Sequence, residues 1–390
     1  MINQTQQTLY RLDNLNAEQK RLSYQMSTGK KLENGSDDAV LYSREIYVDD
    51  KIRVFEGIQA QLTKTTVHNN VSDTAVNDMK KLMEQVKAEL LKATTSTTTD
   101  EGKKAIAVSI AGVKQNLLDL ANTRIDGEYL FSGSNSSVRP FTEGANGDVT
   151  YNGDTLLRKI AVEEGSYRDK GVNGFDIMMY PSDVATKSDP NLSFKATDRI
   201  VDADNFEWKL NSPTNTQLVR YDIDGNATSD TLALTNDGGT PPTYTADLSA
   251  AGNLATLGGS LDGVKFEAKT SIFDALDNVV DSLNKVDSLG NPITDAQASA
   301  NLTAALDEID SSYDAVNVAH AELGGRNKVF EVSEEKVMAK LTQYNILSQE
   351  IGAADLSKVA VEAKALELTF TALYSTINKT NELSLVNFIR

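Results

Sequence analysis

The chain has 390 residues, a formal net charge of −18 and no cysteine. This length predicts more than one folding core, and the acidic balance argues against a nucleic-acid partner, which needs clustered lysine and arginine. Without cysteine there is no disulfide bond and no thiolate for catalysis or metal binding. The sequence shows no run of about 18 apolar residues and no cleaved secretory signal. It therefore predicts a soluble protein without membrane insertion, exported, if at all, by another route.

The first predicted elements are long helices. Apolar residues near the N-terminus recur at alternating steps of three and four, with only the polar Gln19 between them: Leu12, Leu15, Leu22 and Met26. This spacing predicts a helix that buries a narrow stripe against another helix. Gln19 either fixes the register of that stripe or is solvated. The same spacing of apolar residues continues from Val48 to Leu62. Turn-forming residues at 34–38 and threonines at 94–99 predict two breaks between helices.

The middle of the chain predicts β structure. Between Gly127 and Gly263 lie 15 of the 24 glycines. Short β-prone runs, such as residues 149–151 and 218–221, are flanked by turn-forming pairs of Asn or Asp with Gly, at 146–147, 152–153, 173–174, 224–225 and 262–263. This pattern is typical of hairpins with tight turns. We therefore predict a β-rich insertion over residues 128–270.

The last predicted elements are again helices. One restarts at residues 272–283, and heptad spacing runs from Ala298 to Ile351, with a local break expected at Gly324-Gly325. The final stripe contains Leu356, Val359, Leu366, Phe370, Leu373 and Ile377. The predicted fold class is thus mainly α with a β-rich insertion (α+β), its N- and C-terminal helices paired as a long coiled-coil bundle. Two independent coiled-coil segments are the alternative.

This pairing predicts three parts. Residues 1–40 and 351–390 form a terminal coiled coil, residues 41–127 and 271–350 form a helical stem, and residues 128–270 form the insertion. We call the apolar stripe of the coiled coil the assembly seam, and it consists of Leu12, Leu15, Leu22, Met26, Leu356, Val359, Leu366, Phe370, Leu373 and Ile377.

Enzyme chemistry has little support. The two histidines, His68 and His320, fall in predicted helices, and we expect surface or seam-edge positions, because the ligand patterns of a catalytic zinc are absent from the sequence. Residues 222–226 with Asp230 offer oxygen ligands for calcium, but the glycine comes fourth rather than sixth, so an acidic hairpin turn is the better interpretation. We predict no catalytic residue, no metal and no cofactor.

Several segments resemble bacterial flagellins. Gln-Met-Ser-Thr-Gly-Lys-Lys at 25–31, with Asn-Gly-Ser-Asp-Asp-Ala at 34–39, is similar to the N-terminal block of that family. Leu383-Ser384-Leu385 is similar to its C-terminal ending. Residues 117–133, followed by Pro140-Phe141, resemble most the hook-filament junction members of the flagellin superfamily. The resemblance covers residues 1–140 and 295–390, and its spacing suggests that a few N-terminal residues are missing.

The resemblance implies a structural role without enzyme activity. In such proteins the terminal helices form an inner axial layer and the insertion faces outward. The implied location is extracellular, in the flagellum, after export through the flagellar type III apparatus. The implied partners are other copies in a ring, the adjacent hook-associated junction protein, flagellin, and an export chaperone that holds the C-terminal helical region.

Three other functions stay open. A filament-forming flagellin shares the same terminal helices. A type III secretion tip protein also pairs terminal helices around an insertion, although the block at residues 25–39 argues against it. A calcium-dependent adhesin would place its binding site in residues 128–270.

Overall fold

The structure is a computed structural model that describes residues 2–95, 98–144, 147–222, 225–239 and 242–388. These residues form eight helices: α1 (Ile2–Thr28), α2 (Ala39–Ala93), α3 (Asp100–Ala121), α4 (Gly174–Met178), α5 (Ala251–Thr256), α6 (Ile272–Leu283), α7 (Asp295–Gly352) and α8 (Leu356–Phe388). They also form fifteen strands: β1 (Arg124–Ile125), β2 (Glu128–Tyr129), β3 (Phe141–Glu143), β4 (Val149–Tyr151), β5 (Lys159–Glu163), β6 (Ser166–Asp169), β7 (Met179–Thr186), β8 (Asn191–Lys195), β9 (Arg199–Asp202), β10 (Glu207–Leu210), β11 (Gln217–Tyr221), β12 (Ala227–Ala233), β13 (Thr235–Asn236), β14 (Thr243–Asp247) and β15 (Lys265–Ser271).

Helical ends around a β-rich middle confirm the predicted α+β class. The two predicted breaks fall between α1 and α2 and between α2 and α3, and the restarted helix is α6. The break expected at Gly324-Gly325 is wrong, because α7 runs through both glycines. A helical glycine costs only about 1 kcal/mol, and the buried Leu323 and Phe330 on either side hold the helix in place.

Side-chain caps explain where two helices begin. The Thr99 hydroxyl accepts a hydrogen bond from the Gly102 backbone N–H, which starts α3. Thr294 accepts from the Gln297 N–H at 3.3 Å, while the Gln297 side chain accepts from the Thr294 N–H at 3.0 Å. This reciprocal capping box satisfies two amide donors that the helix itself leaves unpaired, and it starts α7.

The chain divides into two compact units. Unit 1 contains Met1–Gln61, Glu163–Gly165 and Ser333–Arg390, and unit 2 contains Leu62–Val162 and Ser166–Val332. The described residues include no helix with the length and apolar character that a membrane crossing would need.

Unit 2 contains a helical core made by α2, α3, α6 and α7. Its fully buried side chains include Met79, Met83, Ile110, Leu117, Leu276 and Val316. Aromatic rings close one part of this core: Phe141 lies 5.0 Å from Tyr151 and 5.4 Å from Phe273, measured between ring centroids. Phe141 and Tyr151, from the predicted insertion, therefore belong to the same core as Phe273 of α6.

Unit 2 also contains a second, β core. A six-stranded antiparallel sheet, in the order β12-β11-β10-β9-β15-β7, and a three-stranded sheet, β13-β14-β8, both contribute to it. Trp208 meets Phe266 edge to face at 5.3 Å, and Phe194 stacks on Tyr244 at 5.7 Å. Strands β4 and β11 confirm the predicted β runs at 149–151 and 218–221.

Two predicted turns have different outcomes. The hairpin turn expected at Asn173-Gly174 is wrong: Asn173 caps α4, and its side-chain oxygen accepts from the Asp176 N–H at 2.7 Å. An asparagine that can cap a helix carries the same sequence signal as one in a turn. The acidic segment after β11 does connect an antiparallel hairpin, with Asp222 N–H donating to the Asn226 carbonyl, although Asp224 lies outside the described residues.

Asp274, in the first turn of α6, predicts a pH-dependent stability. Burial, followed by the nearby Asp277 and Asp198 carboxylates, raises its pKa to about 7. Because the folded pKa lies above the unfolded value, the stability linked to protonated Asp274 is complete below about pH 4 and is lost as pH rises through 7. We expect Asp274→Asn to increase the free energy of unfolding by about 1–2 kcal/mol at pH 8. This figure allows for the favourable interaction of the carboxylate with the helix dipole, which the variant loses. At pH 4 the free energy of unfolding should not increase.

Thermal unfolding at both pH values measures this effect. Asp307→Asn, which removes an exposed carboxylate from α7, is the matched control and should change stability little at either pH. Equal changes in unfolding temperature for Asp274→Asn and Asp307→Asn at pH 8 would contradict the prediction.

Candidate assembly surface

Unit 1 brings the two ends of the chain together. Helices α1 and α8 contact each other. Among the seam residues on these two helices, Leu22 and Val359 are the buried ones, at 2% and 5% exposure. Beside them, the Arg21 guanidinium donates to Glu18 at 2.5 Å and to Glu362 at 3.3 Å. These pairs are largely solvated and contribute under about 1 kcal/mol each. The apolar contact, rather than charge, holds the two helices together.

Backbone hydrogen bonds fasten the segment after α1 to the turn before α8. The Lys31 N–H donates to the Gly352 carbonyl at 2.7 Å, and the Ala354 N–H donates to the Gly29 carbonyl at 2.8 Å. Gly29 adopts a φ of 69°, which lets the chain leave α1 by the left-handed cap that glycine favours. The Thr-Gly-Lys motif therefore has a structural role here, which is to end α1 and join it to the α7–α8 turn.

Gln25 is a buried polar residue in this junction. Its side-chain amide donates to the Lys31 carbonyl at 2.7 Å, so it closes the loop after α1 from within. The sequence prediction named Gln19 as the polar member of the stripe, whereas the structure places Gln19 at an exposed position. Heptad spacing put Gln19 on the stripe and Gln25 outside it, and it could not show that the loop after α1 folds over Gln25.

Removing the Gln25 side chain should loosen this junction. Gln25→Ala leaves the Lys31 carbonyl without its donor, at a cost of about 1 kcal/mol. We expect amide hydrogen exchange over residues 26–33 to become about fivefold faster, measured by mass spectrometry on the full chain. Gln19→Ala, at the exposed position on the same helix, should leave the exchange of this segment unchanged, and equal effects would contradict the assignment.

The rest of the assembly seam is only partly covered. Leu12, Leu15, Leu366, Phe370, Leu373 and Ile377 are half-buried. Met26 and Leu356 are exposed at 54% and 53%. Between α1 and α8 an open cleft of about 830 Å³ is lined by Leu22, Met26, Leu366 and Phe370 together with polar residues such as Asn16 and Gln19. Two helices alone therefore leave much of this apolar surface in contact with water.

Sequence reasoning missed a second apolar stripe on α8. Val361 and Leu368, seven residues apart, are exposed at 70% and 64%. Seven residues are two helical turns, so both side chains lie on one face, which differs from the face that carries Val359 and Leu366. Their spacing was the available signal. The side chains of Leu383 and Leu385, the predicted family ending, lie outside the described set.

Unit 1 also joins α2 to α7. The Phe55 ring stacks on Tyr344 at 5.7 Å, and the Lys340 ammonium lies 5.3 Å from the centre of the Phe55 ring. Glu163 pairs with Lys340, and the Glu164 carboxylate pairs with Lys51 at 2.5 Å. The hairpin tip at Glu163–Gly165 thus bridges both helices with acidic side chains.

The histidines do not both lie where the sequence placed them. His68 is buried, at 2% exposure, so the predicted surface or seam-edge position is wrong for this residue. Carrying the alternating three- and four-residue steps onward from Leu62 places Thr65, Asn69 and Ser72 at core positions, and polar residues there gave no hydropathy signal. His320 is partly exposed, 3.0 Å from Asp73. Over the described ranges, no group of three acidic, histidine or cysteine side chains is placed to hold a metal ion.

Comparison with known proteins shows which proteins these helices are similar to. Residues 2–136 match the family model of the bacterial flagellin N-terminal helical region. This range includes α1, α2, α3 and the motif at residues 117–133. The predicted resemblance to the flagellin superfamily is therefore confirmed.

The individual relatives have a more specific name than the family model. The chain is 28% identical over 141 residues to flagellar hook-associated protein 3 of Escherichia coli K12, covering 35% of this chain and 44% of the relative. It is 26% identical over 145 residues to the protein of that name from Salmonella typhimurium, covering 36% and 45%. The chain thus spans less than half the length of these curated relatives. The predicted similarity to the junction members of the superfamily is confirmed.

A solved structure supports the fold. The crystal structure of flagellar hook associated protein-3 from Legionella pneumophila aligns with a TM-score of 0.51 and 17% identity, covering 78% of this chain and 98% of that one. At this identity the alignment establishes a shared fold and nothing finer.

Proposed function

We propose that this chain is a structural component of the bacterial flagellum that joins the hook, through an adjacent hook-associated junction protein, to the flagellin filament. The observation that carries the proposal is the flagellin-type match over residues 2–136, together with curated relatives named flagellar hook-associated protein 3. The proposed site of action is extracellular, at the hook-filament junction. The role is structural and involves no catalysis.

The proposed mechanism is self-assembly through the assembly seam. In unit 1 the seam buries Leu22 and Val359 but leaves Met26 and Leu356 exposed, and an open cleft remains beside Phe370. Burial of a leucine, methionine or phenylalanine side chain contributes about 1.5–3 kcal/mol, so neighbouring copies would gain from covering these residues. Because a heterologous contact repeated around an axis generates a ring or an open helix, the same surface can continue a helical lattice.

The proposed roles of the three parts of the chain follow the predicted domains. Residues 1–40 and 351–390 pair as a coiled coil in the inner axial layer, and residues 41–127 with 271–350 form the stem. Residues 128–270 form the insertion, which faces outward. The contact of α1 with α8 supports the first of these assignments.

The proposed partners before assembly follow from the same surface. An unassembled α8 carries apolar residues on two faces, which would favour aggregation during export. We propose that a flagellar export chaperone covers this C-terminal helical region until the chain passes through the type III apparatus. Other copies in a ring, the neighbouring junction protein and flagellin take its place afterwards.

Deletion of the chain in its own bacterium tests the proposal. The expected result is cells whose hooks carry no filament and that release flagellin into the medium. The second candidate, a filament-forming flagellin, is favoured by the family model itself, which describes flagellins. In that case deletion would remove the filament without any release of flagellin. Filaments still attached to the hooks would contradict both.

A further inference from the structure

The six-stranded sheet of unit 2 has two edge strands, which differ in how they are protected. One edge is β7, which contains Pro181, a residue without an N–H, and whose pairing with β15 skips Ser182. Proline and bulges both interrupt the row of backbone groups that an edge strand offers to another chain. The other edge is β12, which contains neither proline nor lysine. Its backbone can pair with a further strand unless another element covers it.

Helix α5 covers part of the β12 edge through two side chains. The Ala233 N–H donates to Asn253 Oδ1 at 2.6 Å, and Asn253 Nδ2 donates to the Ala233 carbonyl at 3.1 Å. The Thr256 hydroxyl donates to the Thr231 carbonyl at 3.0 Å. Residues 231 and 233 direct these groups away from β11, because alternate residues of a strand bond opposite sides. Asn253 has the donor and the acceptor of a peptide group, so it takes the place of a residue in a neighbouring strand.

The position of α5 depends chiefly on these hydrogen bonds. The helix has six residues, and Asn253 is the one that is buried, at 2% exposure. Asn253 Nδ2 also donates to the Asp247 carbonyl at 2.8 Å. Since a helix of this length is unstable in water by itself, the bonds of Asn253 determine whether the edge is covered.

We propose that α5 is an autoinhibitory contact, which prevents β12 from pairing with β12 of a second copy of the chain. A strand that pairs antiparallel with its own copy is related to it by a two-fold axis, so one uncovered edge is sufficient for a closed dimer. The N-terminal half of β12 is less suited to pairing, because its register on β11 shifts between Thr231 and Ala227. The contact lies outside the assembly seam and is independent of the proposed function.

Sedimentation of the full chain over a range of concentrations tests the proposal. Asn253→Ala uncovers both backbone groups of Ala233, and we expect its dimer dissociation constant to be at least about tenfold below that of the wild type. Asn211→Ala is the matched control, because it removes side-chain hydrogen bonds from the Thr216 and Gln217 N–H groups in the turn between the interior strands β10 and β11. The control should sediment like the wild type.

Ala233→Pro, added to Asn253→Ala, distinguishes edge pairing from loss of the fold. Proline removes the outward N–H and is tolerated at a strand edge, so the double variant should sediment like the wild type. Fluorescence of the buried Trp208 shows whether the β core of each variant is folded. Wild-type sedimentation of Asn253→Ala would overturn the proposal. Equal association of Asn211→Ala, or association that survives Ala233→Pro, would overturn it too.

A milder variant decides the question if Asn253→Ala does not fold. Thr256→Val removes the hydrogen bond to the Thr231 carbonyl and keeps Asn253. We expect it to associate about threefold more tightly than the wild type, since one bond to the edge is lost instead of two. Association no tighter than that of the wild type would then overturn the proposal.

Discussion

We expect Leu366→Asp combined with Phe370→Asp to abolish incorporation of the chain into the hook-filament junction. Both side chains line the cleft between α1 and α8 and are half-buried in the monomer. Loss of two apolar side chains removes about 3 kcal/mol or more of burial, a decrease in affinity of about a hundredfold for each contact, and aspartate adds the cost of desolvating a charge. Repeated around a ring, that loss prevents assembly.

The same double variant should leave the β core folded. The single tryptophan, Trp208, is buried in that core against Phe266, so its fluorescence reports directly on the packing there. We expect the emission spectrum and its unfolding midpoint to match those of the wild type. Incorporation is measured by electron microscopy of hooks from cells that express only the variant.

A matched control distinguishes the effect of where the two charges are placed from the effect of adding two charges. Ala372→Asp combined with Ser375→Asp adds the same two charges to exposed positions of α8 that have no seam residue three or four positions away. This control should still assemble. Normal assembly of the Leu366 and Phe370 variant would refute the seam mechanism, and failure of both variants would show that charge alone is responsible.

The second large effect concerns a buried ion pair in unit 2. The Lys114 ammonium donates to both carboxylate oxygens of Asp277, at 2.6 and 2.7 Å, and to the Gly147 carbonyl at 2.8 Å. Lys114 is almost fully buried, whereas the Asp277 side chain is 37% exposed. Lys114→Met leaves the carboxylate without its partner, and because part of it is solvated we expect a loss of about 2–3 kcal/mol in the free energy of unfolding at pH 8.

The loss should depend on pH. Burial already raises the pKa of Asp277, and Lys114 is the partner that opposes this shift. In Lys114→Met the pKa of Asp277 in the folded chain rises further above its value in the unfolded chain. The folded state then tolerates protonated Asp277, and stability is lost as pH rises through that pKa. Denaturant unfolding at pH 5 should therefore show a clearly smaller cost than at pH 8.

Two further variants check the assignment to this pair. Lys114→Met with Asp277→Leu replaces the pair by apolar side chains and should recover to within about 1 kcal/mol of the wild type. Lys104→Met, at an exposed position of the same helix, should have little effect. A pH-independent cost in Lys114→Met would mean that its packing, rather than its charge, was lost.

The sequence predicted the helical arms because their apolar residues keep a strict spacing, and burial then follows from geometry. Leu22, Val48, Leu62 and Val359 were placed on the stripe, and all four are buried. The same reasoning located α6 from the run at Ile272–Leu283. For these elements, periodicity and packing depend on the same property, which is the side of the helix that each residue occupies.

Polar residues in the core could not be predicted in this way. Lys114 is buried because Asp277, 163 positions later, meets it, and no local pattern encodes that partnership. His68 is buried because Lys170 from the insertion covers it. Heptad spacing also does not specify whether α8 of the same chain or α8 of a neighbouring copy completes the seam. Both arrangements bury the same residues.

Sedimentation of the purified full-length chain, alone and after addition of short flagellar filament fragments, tests the central claim most directly. A junction protein should remain largely monomeric alone, because its seam needs a preformed lattice end to complete it, and it should bind fragment ends without extending them. Long filaments growing from the chain alone or from the fragments would contradict the junction assignment and identify it as a filament-forming flagellin.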